Sequence, residues 1–192
     1  PLVFLNQVHG SAVKVLKKAD NDLEDVFEPG RELYTADAIV TDMKDVFLVI
    51  QVADCQAVML YDPERGVIAN VHSGWRGSVE NIVGRCVDKM TETFGCRAAD
   101  ILAGISPSLG PCCAEFIHYE KEIPEHLWPY KEPDRPYFNF WQMTRDQLTE
   151  KGVAPDHIAN MEICTKCSTD RFFSYRGEKT TGRFACVIAL TN

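Results

Sequence analysis

Two apolar runs joined by a tight turn are the feature that most constrains how this chain can fold. The runs occupy residues 57–61 and 67–71, and the residues between them include Pro63 and Gly66. Proline and glycine at those places are typical of a type I turn closed by a residue with positive φ. The sequence therefore predicts an antiparallel β-hairpin in this part of the chain.

The predicted hairpin brings a cysteine close to a histidine. With Glu64 at the centre of the turn, the numbers of facing residues sum to about 128, and Cβ atoms of facing residues lie roughly 5 Å apart. Cys55 then lies opposite Ser73 or His72. A soft thiolate next to an imidazole can share one metal ion, so Cys55 and His72 form a candidate active site.

His9 is a candidate third member of this site, because it lies next to Gly10 at the end of a short apolar run. Three nitrogen and sulfur ligands with a fourth position open match a catalytic zinc site, where the metal lowers the pKa of bound water to about 7. The alternative is a buried cysteine and two ordinary histidines. Spacing alone connects only Cys55 and His72.

Composition narrows the class of protein. A chain of 192 residues suits one domain, residues 1–192, with a substantial core. Its net charge of −8 argues against nucleic-acid binding, because phosphate contacts need a basic face. No apolar run approaches the ~18 residues of a membrane span, and no segment resembles a signal peptide. Eight cysteines are then expected as mostly free thiols in a cytoplasmic protein.

Further strands and two helices are predicted along the chain. Apolar residues recur with helical spacing from Val79 to Phe94, and Gly95 ends this helix. A second helix is predicted over residues 141–151, and residues 19–31 are predicted as a surface loop. The predicted strands cover residues 13–16, 38–40, 46–52, 100–105, 158–163 and 183–190.

Arg76 lies just before the first predicted helix, in the segment from Gly74 to Gly77. A helix start next to glycine and arginine can bind an anion, and arginine side chains suit phosphate or carboxylate. Arg176 is a second candidate, because an aromatic residue and a glycine flank it. The alternative for each arginine is an ordinary solvated charge.

Two other cysteine pairs are not predicted to form a metal site or a disulfide. Cys164 and Cys167 form a single Cys-x-x-Cys motif, with no second Cys-x-x-Cys or His-x-x-x-His pair in the sequence to complete a structural zinc site. Cys112 and Cys113 are adjacent, which disfavours a disulfide between them. We interpret both pairs as packing residues.

Six separated motifs resemble the YfiH/laccase-domain family, also called the polyphenol oxidase or purine nucleoside phosphorylase family. They are NQVHG, TADAIVT, QVADCQAVMLYD, VHSGWRG, GISPSLGPCC and FFSYRG followed by TTGR. The resemblance implies an α/β fold, a four-layer α/β/β/α sandwich of mixed sheets. It also implies zinc, with copper as the alternative, held by His9, Cys55 and His72. Family members usually carry a further segment before NQVHG, which we expect to be missing here.

The resemblance implies purine nucleosides and inorganic phosphate as small-molecule partners. Family activities are phosphorolysis of adenosine, inosine, guanosine and methylthioadenosine, and deamination of adenosine. In deamination, a water activated by the metal would attack the base while Asp37 or Asp54 relays protons. In phosphorolysis, Arg76 and the following helix start would hold the phosphate. We expect a monomer or homodimer that binds neither nucleic acid nor membrane.

Three other functions remain open from the sequence. A multicopper laccase needs on the order of ten histidines to bind its copper ions, whereas this chain has five and no His-x-His pair; a mononuclear copper oxidase at the same ligands is compatible with the sequence. A metal-free hydrolase could use Cys55 as nucleophile and His72 as base, acting on a peptidoglycan precursor. The third is a binding module without catalysis.

Overall fold

The computed structural model describes residues 1–17 and 34–191, so the predicted surface loop at residues 19–31 lies outside the described residues. The described strands are β1 (Leu2–Val3), β2 (Leu5–Asn6), β3 (Val13–Leu16), β4 (Tyr34–Thr35), β5 (Ala38–Thr41), β6 (Phe47–Val52), β7 (Gln56–Asp62), β8 (Val67–Ser73), β9 (Leu102–Ile105), β10 (Ile158–Asn160) and β11 (Phe184–Ala189). The described α-helices are α1 (Trp75–Val79), α2 (Ile82–Phe94), α3 (Tyr119–Glu122), α4 (Phe140–Glu150) and α5 (Tyr175–Glu178).

A six-stranded mixed sheet forms the centre of the protein. Its strands lie in the order β10–β9–β7–β8–β5–β3, and the hairpin strands β7 and β8 occupy the middle. A three-stranded sheet has the order β1–β6–β11, and β2 pairs with β4 in a small parallel ribbon. The site described below lies at the end of the hairpin where β7 begins and β8 ends.

Two hydrophobic cores cover the two faces of the six-stranded sheet. On one face, Ile82 and Val83 of α2 pack among residues such as Val58 and Ala69. On the other face, the core includes Ile68 of β8 together with residues of β6. Burial of apolar surface on both sides stabilises this arrangement. The mixed α/β class is confirmed. The described residues build three of the predicted layers: the helical layer with α2, the six-stranded sheet and the three-stranded sheet.

The predicted hairpin is confirmed, with a register one residue away from the prediction. Ala57 pairs with His72, and Asp62 pairs with Val67. The Asp62 side chain accepts hydrogen bonds from the backbone N–H groups of Glu64 and Arg65, at 2.9 and 3.0 Å. Asp62 therefore belongs to the strand, and the loop spans only residues 63–66. As predicted, a residue with positive φ closes it: Gly66 has φ +60°.

The helix predicted from Val79 to Phe94 is divided in the structure, so that prediction was wrong at its start. Val79 ends the short helix α1, and α2 begins at Ile82. Asn81 separates them because it has a left-handed backbone, with φ 55°, and its side chain accepts a hydrogen bond from the N–H of Gly84. Asparagine tolerates this conformation and caps helix starts well. Gly95 ends α2 as predicted.

The remaining predicted elements are present with shorter or shifted bounds. The observed strands β3, β5, β6, β9, β10 and β11 each overlap a predicted one, and the predicted second helix is α4, which begins one residue earlier. Among the described residues, no helix combines the length and apolar character that crossing a membrane requires.

Candidate metal centre

The three predicted ligands come together at the end of the hairpin. One ligand atom from each of His9, Cys55 and His72 lies within 4.8 Å of those of the other two. The two imidazole rings meet edge to face, with their centroids 4.7 Å apart. His72 is buried, Cys55 is half-buried and His9 is exposed. The cluster therefore has a protected side and a side open to solvent.

Different parts of the chain supply the three side chains. His72 lies on β8, Cys55 lies in the bend before β7, and His9 follows β2 with φ 59°. Gly74 makes their approach possible. A Cβ atom at this position would lie 3.0 Å from Cδ2 of His9 and 3.2 Å from Sγ of Cys55. Any larger residue at this position would push the ligands apart.

Asp37 holds the two histidines in place. Its Oδ1 lies 2.8 Å from Nδ1 of His72. Its carboxylate also accepts hydrogen bonds from the backbone N–H groups of His9, at 2.9 Å, and Gly10, at 2.7 Å. An acceptor on Nδ1 leaves Nε2 as the nitrogen free to bind a metal. Asp37 is predicted from the sequence as a proton relay, whereas in the structure it is completely buried behind His72.

The electrostatics of the cluster favour a charged thiolate. Burial raises the pKa of Cys55, but hydrogen bonds with His72 and His9 outweigh that effect and lower the pKa to about 7. Burial lowers the pKa of His72, but Asp37 and Cys55 outweigh it and raise the pKa to about 9. The pKa of Asp37 is lowered: burial raises it, and the hydrogen bond with His72 is the largest opposing effect.

This donor set fits a metal ion. One thiolate and two imidazoles are a known ligand combination for zinc and for mononuclear copper. Three protein ligands leave a position open, as in catalytic rather than structural zinc sites. The Asp37–His72 hydrogen bond is the outer contact that metal-binding histidines usually make. The residues present thus fit a metal, and the donor set alone does not choose between the two elements.

The cluster lines a cavity of about 650 Å³, within the usual range for small-molecule sites. Three arginines and four aromatic residues share its wall: Arg76, Arg176, Arg183, Trp75, Phe116, Phe140 and Tyr175. The guanidinium group of Arg76 lies 4.4 Å from the centre of the Trp75 ring, a cation–π distance. Arg76 and Arg176, both predicted as anion ligands, therefore lie in the same cavity as the metal ligands.

Asp54 also lines the cavity, but hydrogen bonds engage its carboxylate. Its Oδ1 accepts from the hydroxyl groups of Thr165 and Ser174, both at 2.7 Å, and its Oδ2 accepts from the backbone N–H of Arg176 at 2.6 Å. The Arg176 guanidinium donates to the carbonyl of Glu115 at 2.7 Å. Asp54 thus anchors the segment that carries Arg176. Thr165 and Ser174 are not predicted from the sequence, because no local pattern connects them with Asp54.

Comparison with known proteins shows which family the chain belongs to. The family model described as multi-copper polyphenol oxidoreductase laccase matches residues 1–191. The chain belongs to this laccase-domain family. The family predicted from the sequence motifs is therefore confirmed.

Two relatives of this laccase-domain protein are named purine nucleoside phosphorylases. One, from Clostridium acetobutylicum, is 31% identical over 176 residues, which is 89% of this chain and 74% of the relative. The other, YlmD from Geobacillus stearothermophilus, is 31% identical and covers 97% of this chain and 71% of the relative. The hypothetical protein YfiH from Bacillus licheniformis has a similar solved structure, with a TM-score of 0.87, 27% identity, and 99% and 74% of the two chains covered.

Proposed function

We propose that this protein is a metal-dependent purine nucleoside phosphorylase, with His9, Cys55 and His72 as its metal ligands. The observation that carries the proposal is the position of this cluster in one cavity with three arginines. Relatives with the phosphorylase name supply the substrate class. The substrates we propose are adenosine, inosine, guanosine and methylthioadenosine, with inorganic phosphate as the second substrate.

The charges on the cavity wall support binding of phosphate. Arg76, Arg176 and Arg183 contribute positive charge, although the whole chain carries a net charge of −8. Asp54 is the one acidic residue in the described cavity wall, and its carboxylate is already hydrogen-bonded. A guanidinium group can bind phosphate through two parallel hydrogen bonds. Arg76 and Arg176 would hold phosphate beside the ribose.

Aromatic residues on the same wall support binding of a flat base. Trp75 and Phe116 pack edge to face, with ring centroids 5.9 Å apart, and Tyr175 is exposed on the wall. Aromatic faces stack on nucleobases with little preference among them. This agrees with several purines as substrates. The role of the rings is to orient the base while the arginines orient the phosphate.

The chain's own polar groups define the chemistry beside the substrate. When bound, a metal ion would supply Lewis-acid polarisation of a substrate oxygen. The buried Asp37 carboxylate keeps a proton on Nδ1 of His72 and so fixes the orientation of the imidazole. The half-buried Cys55 has a pKa of about 7, so its thiolate is available near neutral pH. His9 and Cys55 face the cavity.

Hydrolytic deamination of adenosine is the second candidate activity. The observation that favours it is the donor set, because zinc deaminases also use histidine and cysteine ligands with an open position. Those enzymes also use a glutamate as general acid and base. The described cavity wall contains no glutamate, and Asp37 is buried behind His72. We therefore propose deamination as the weaker activity.

Two further chemistries share the same residues. Cys55, His72 and Asp37 also have the order of a nucleophile, base and orienting acid, which would serve a metal-free hydrolase of peptidoglycan precursors. The family's laccase name suggests oxidation of phenols by copper. A multicopper centre needs on the order of ten histidines, whereas this chain has five and no His-x-His pair. A single copper ion at His9, Cys55 and His72 is the remaining copper possibility.

A panel assay tests the proposal. The purified protein is incubated with each nucleoside, with and without phosphate, and the release of free base and ammonia is measured. We expect phosphate-dependent release of base, abolished by a strong chelator and restored by zinc. Release of neither base nor ammonia contradicts the proposal. Activity that survives metal removal and disappears on alkylation of Cys55 supports the hydrolase instead.

A further inference from the structure

A second group of four cysteines lies outside the candidate metal centre. Sγ atoms from two distant parts of the chain all lie within 4.8 Å of one another: Cys112, Cys113, Cys164 and Cys167. The sequence contains no second Cys-x-x-Cys motif to complete a zinc site with Cys164 and Cys167. In the structure, the adjacent pair Cys112–Cys113 occupies the place of that second pair. The interpretation of these cysteines as separate packing residues was therefore incomplete.

We propose that these four cysteines form a structural zinc site with four thiolate ligands. The sulfur–sulfur distances support a single ion at its centre. Sγ of Cys167 lies 3.8 Å from Sγ of Cys112 and 3.5 Å from Sγ of Cys113. Zinc–sulfur bonds of about 2.3 Å place the sulfur atoms of a tetrahedral site about 3.8 Å apart. Binding of zinc would release the thiol protons to solvent.

Backbone N–H groups around the cluster donate hydrogen bonds to one of its sulfur atoms. The N–H of Gly110 donates a hydrogen bond to Sγ of Cys164 at 3.3 Å, and the N–H of Cys167 also bonds to this sulfur. Hydrogen bonds of this kind stabilise thiolate ligands. Gly110 is needed for the close approach, since a Cβ atom there would lie 3.0 Å from Cβ of Cys164 and 2.9 Å from the Trp141 ring.

Disulfides and an iron–sulfur cluster explain the geometry less well. A disulfide bond holds two sulfur atoms about 2.05 Å apart, whereas all eight cysteines here are free. A four-iron cluster binds each cysteine through a different iron atom, which places the thiolates farther apart than around one ion. A closed set of four thiolates is instead one of the usual ligand sets of structural zinc sites.

The proposed ion would join two segments that build the cavity. The segment with Cys112 and Cys113 also carries Leu109 and Phe116, and the segment after Cys167 carries Arg176. Hydrogen bonds already connect the segments: Ser108 N–H donates to the carbonyl of Ile163 at 3.1 Å, and Thr165 N–H donates to that of Ser108 at 3.1 Å. The ion's role is to stabilise the protein by holding these two segments together, and this site stands independently of the proposed function.

Zinc content of the purified protein tests the site without an activity assay. The full chain is expressed with added zinc, purified under reducing conditions and analysed for metal. We expect about two zinc ions per chain, about one in C55S, about one in C167S, and almost none when both substitutions are combined. Cys186 belongs to neither cluster, so C186A is the matched control and retains both ions.

Alkylation of the unaltered protein provides a second measurement if C167S fails to fold. Cys112 and Cys167 are exposed, so as free thiols they are accessible to a maleimide. We expect zinc to protect both from labelling and a chelator to remove that protection. The proposal is overturned if they are labelled at the same rate with and without zinc. It is also overturned if the four sulfurs are found in disulfides, or with iron and sulfide.

Discussion

The two cysteine-containing clusters of this protein differ in ligands, position and surroundings. The cluster of His9, Cys55 and His72 mixes nitrogen and sulfur, opens into a cavity, and has a buried carboxylate behind it. The second cluster contains four cysteines, two of them exposed, and joins two loops. Three ligands with an open position suit catalysis, and four thiolates suit structure. Ligand number and surroundings, more than the presence of cysteine, therefore separate the two roles.

The strongest test of this division compares one cysteine from each cluster. In C55A we expect phosphorolysis to fall on the order of 10³-fold or more, the scale of removing a catalytic group. In C167A we expect the folded protein to keep its turnover within a few-fold, while its melting temperature falls on the order of 10 °C, as loss of a bound ion predicts. Steady-state kinetics and thermal melts provide both measurements. Equal losses of activity in the two variants contradict the division.

Replacing Arg176 on the cavity wall should give the next largest loss of activity. Arg176 donates to the carbonyl of Glu115 and lies on the cavity wall. In R176A we expect kcat/KM for phosphate to fall about 10- to 100-fold, because a hydrogen bond to a charged group contributes about 1.5–3 kcal/mol. The exposed Arg135, which pairs with Glu132 outside the cavity, supplies the control R135A. Unchanged phosphate kinetics in R176A would remove Arg176 from the proposed phosphate site.

The buried carboxylate behind the first cluster should tune its metal affinity. Asp37→Asn removes the charge that faces Nδ1 of His72. We expect the zinc affinity of this cluster to fall about 10- to 100-fold, the usual cost of losing an outer-shell partner, with zinc at the four-cysteine cluster unchanged. Asp62 is equally buried and accepts hydrogen bonds from the backbone of the hairpin loop, so D62N is the matched control. Competition with a coloured chelator measures both affinities.

Low pH should weaken metal binding at the two clusters to different extents. Metal binding needs thiolates and neutral imidazoles, so protons compete with the ion and affinity falls as pH decreases. In the metal-free first cluster the pKa of Cys55 is about 7 and that of His72 about 9, so its affinity rises with pH up to about 9. Four thiols give the second cluster a steeper dependence. Zinc affinity measured across pH in C167S reports on the first cluster, and in C55S on the four-cysteine cluster. Identical slopes of affinity against pH would argue against the assigned ligand numbers.

Local sequence patterns predicted the first cluster because its key pair is local. Cys55 and His72 lie on one hairpin, and turn residues determine its approximate register. The error of one residue arose from Asp62, whose side chain bonds to the loop backbone and extends the strand. The division between α1 and α2 was missed because a left-handed asparagine interrupts an otherwise helical pattern.

Contacts between distant segments could not be predicted in the same way. Cys113 and Cys167 are separated by 54 positions, and Asp54 and Ser174 by 120. Loops bring these pairs together, and no periodicity in the sequence encodes a loop's path. Asp37 was chosen as a candidate acid from its motif. Its role as the partner of His72 depends on the pairing of β5 with β8.

The most direct test of the central claim is zinc reconstitution of the metal-free protein. Phosphate-dependent release of hypoxanthine from inosine is measured after chelation, and again after zinc is added back. We expect activity to be absent from the stripped protein, to return with zinc, and not to return in C55A although the four-cysteine cluster still binds zinc. Full activity in stripped protein, or zinc-dependent activity in C55A, would contradict a metal centre formed by His9, Cys55 and His72.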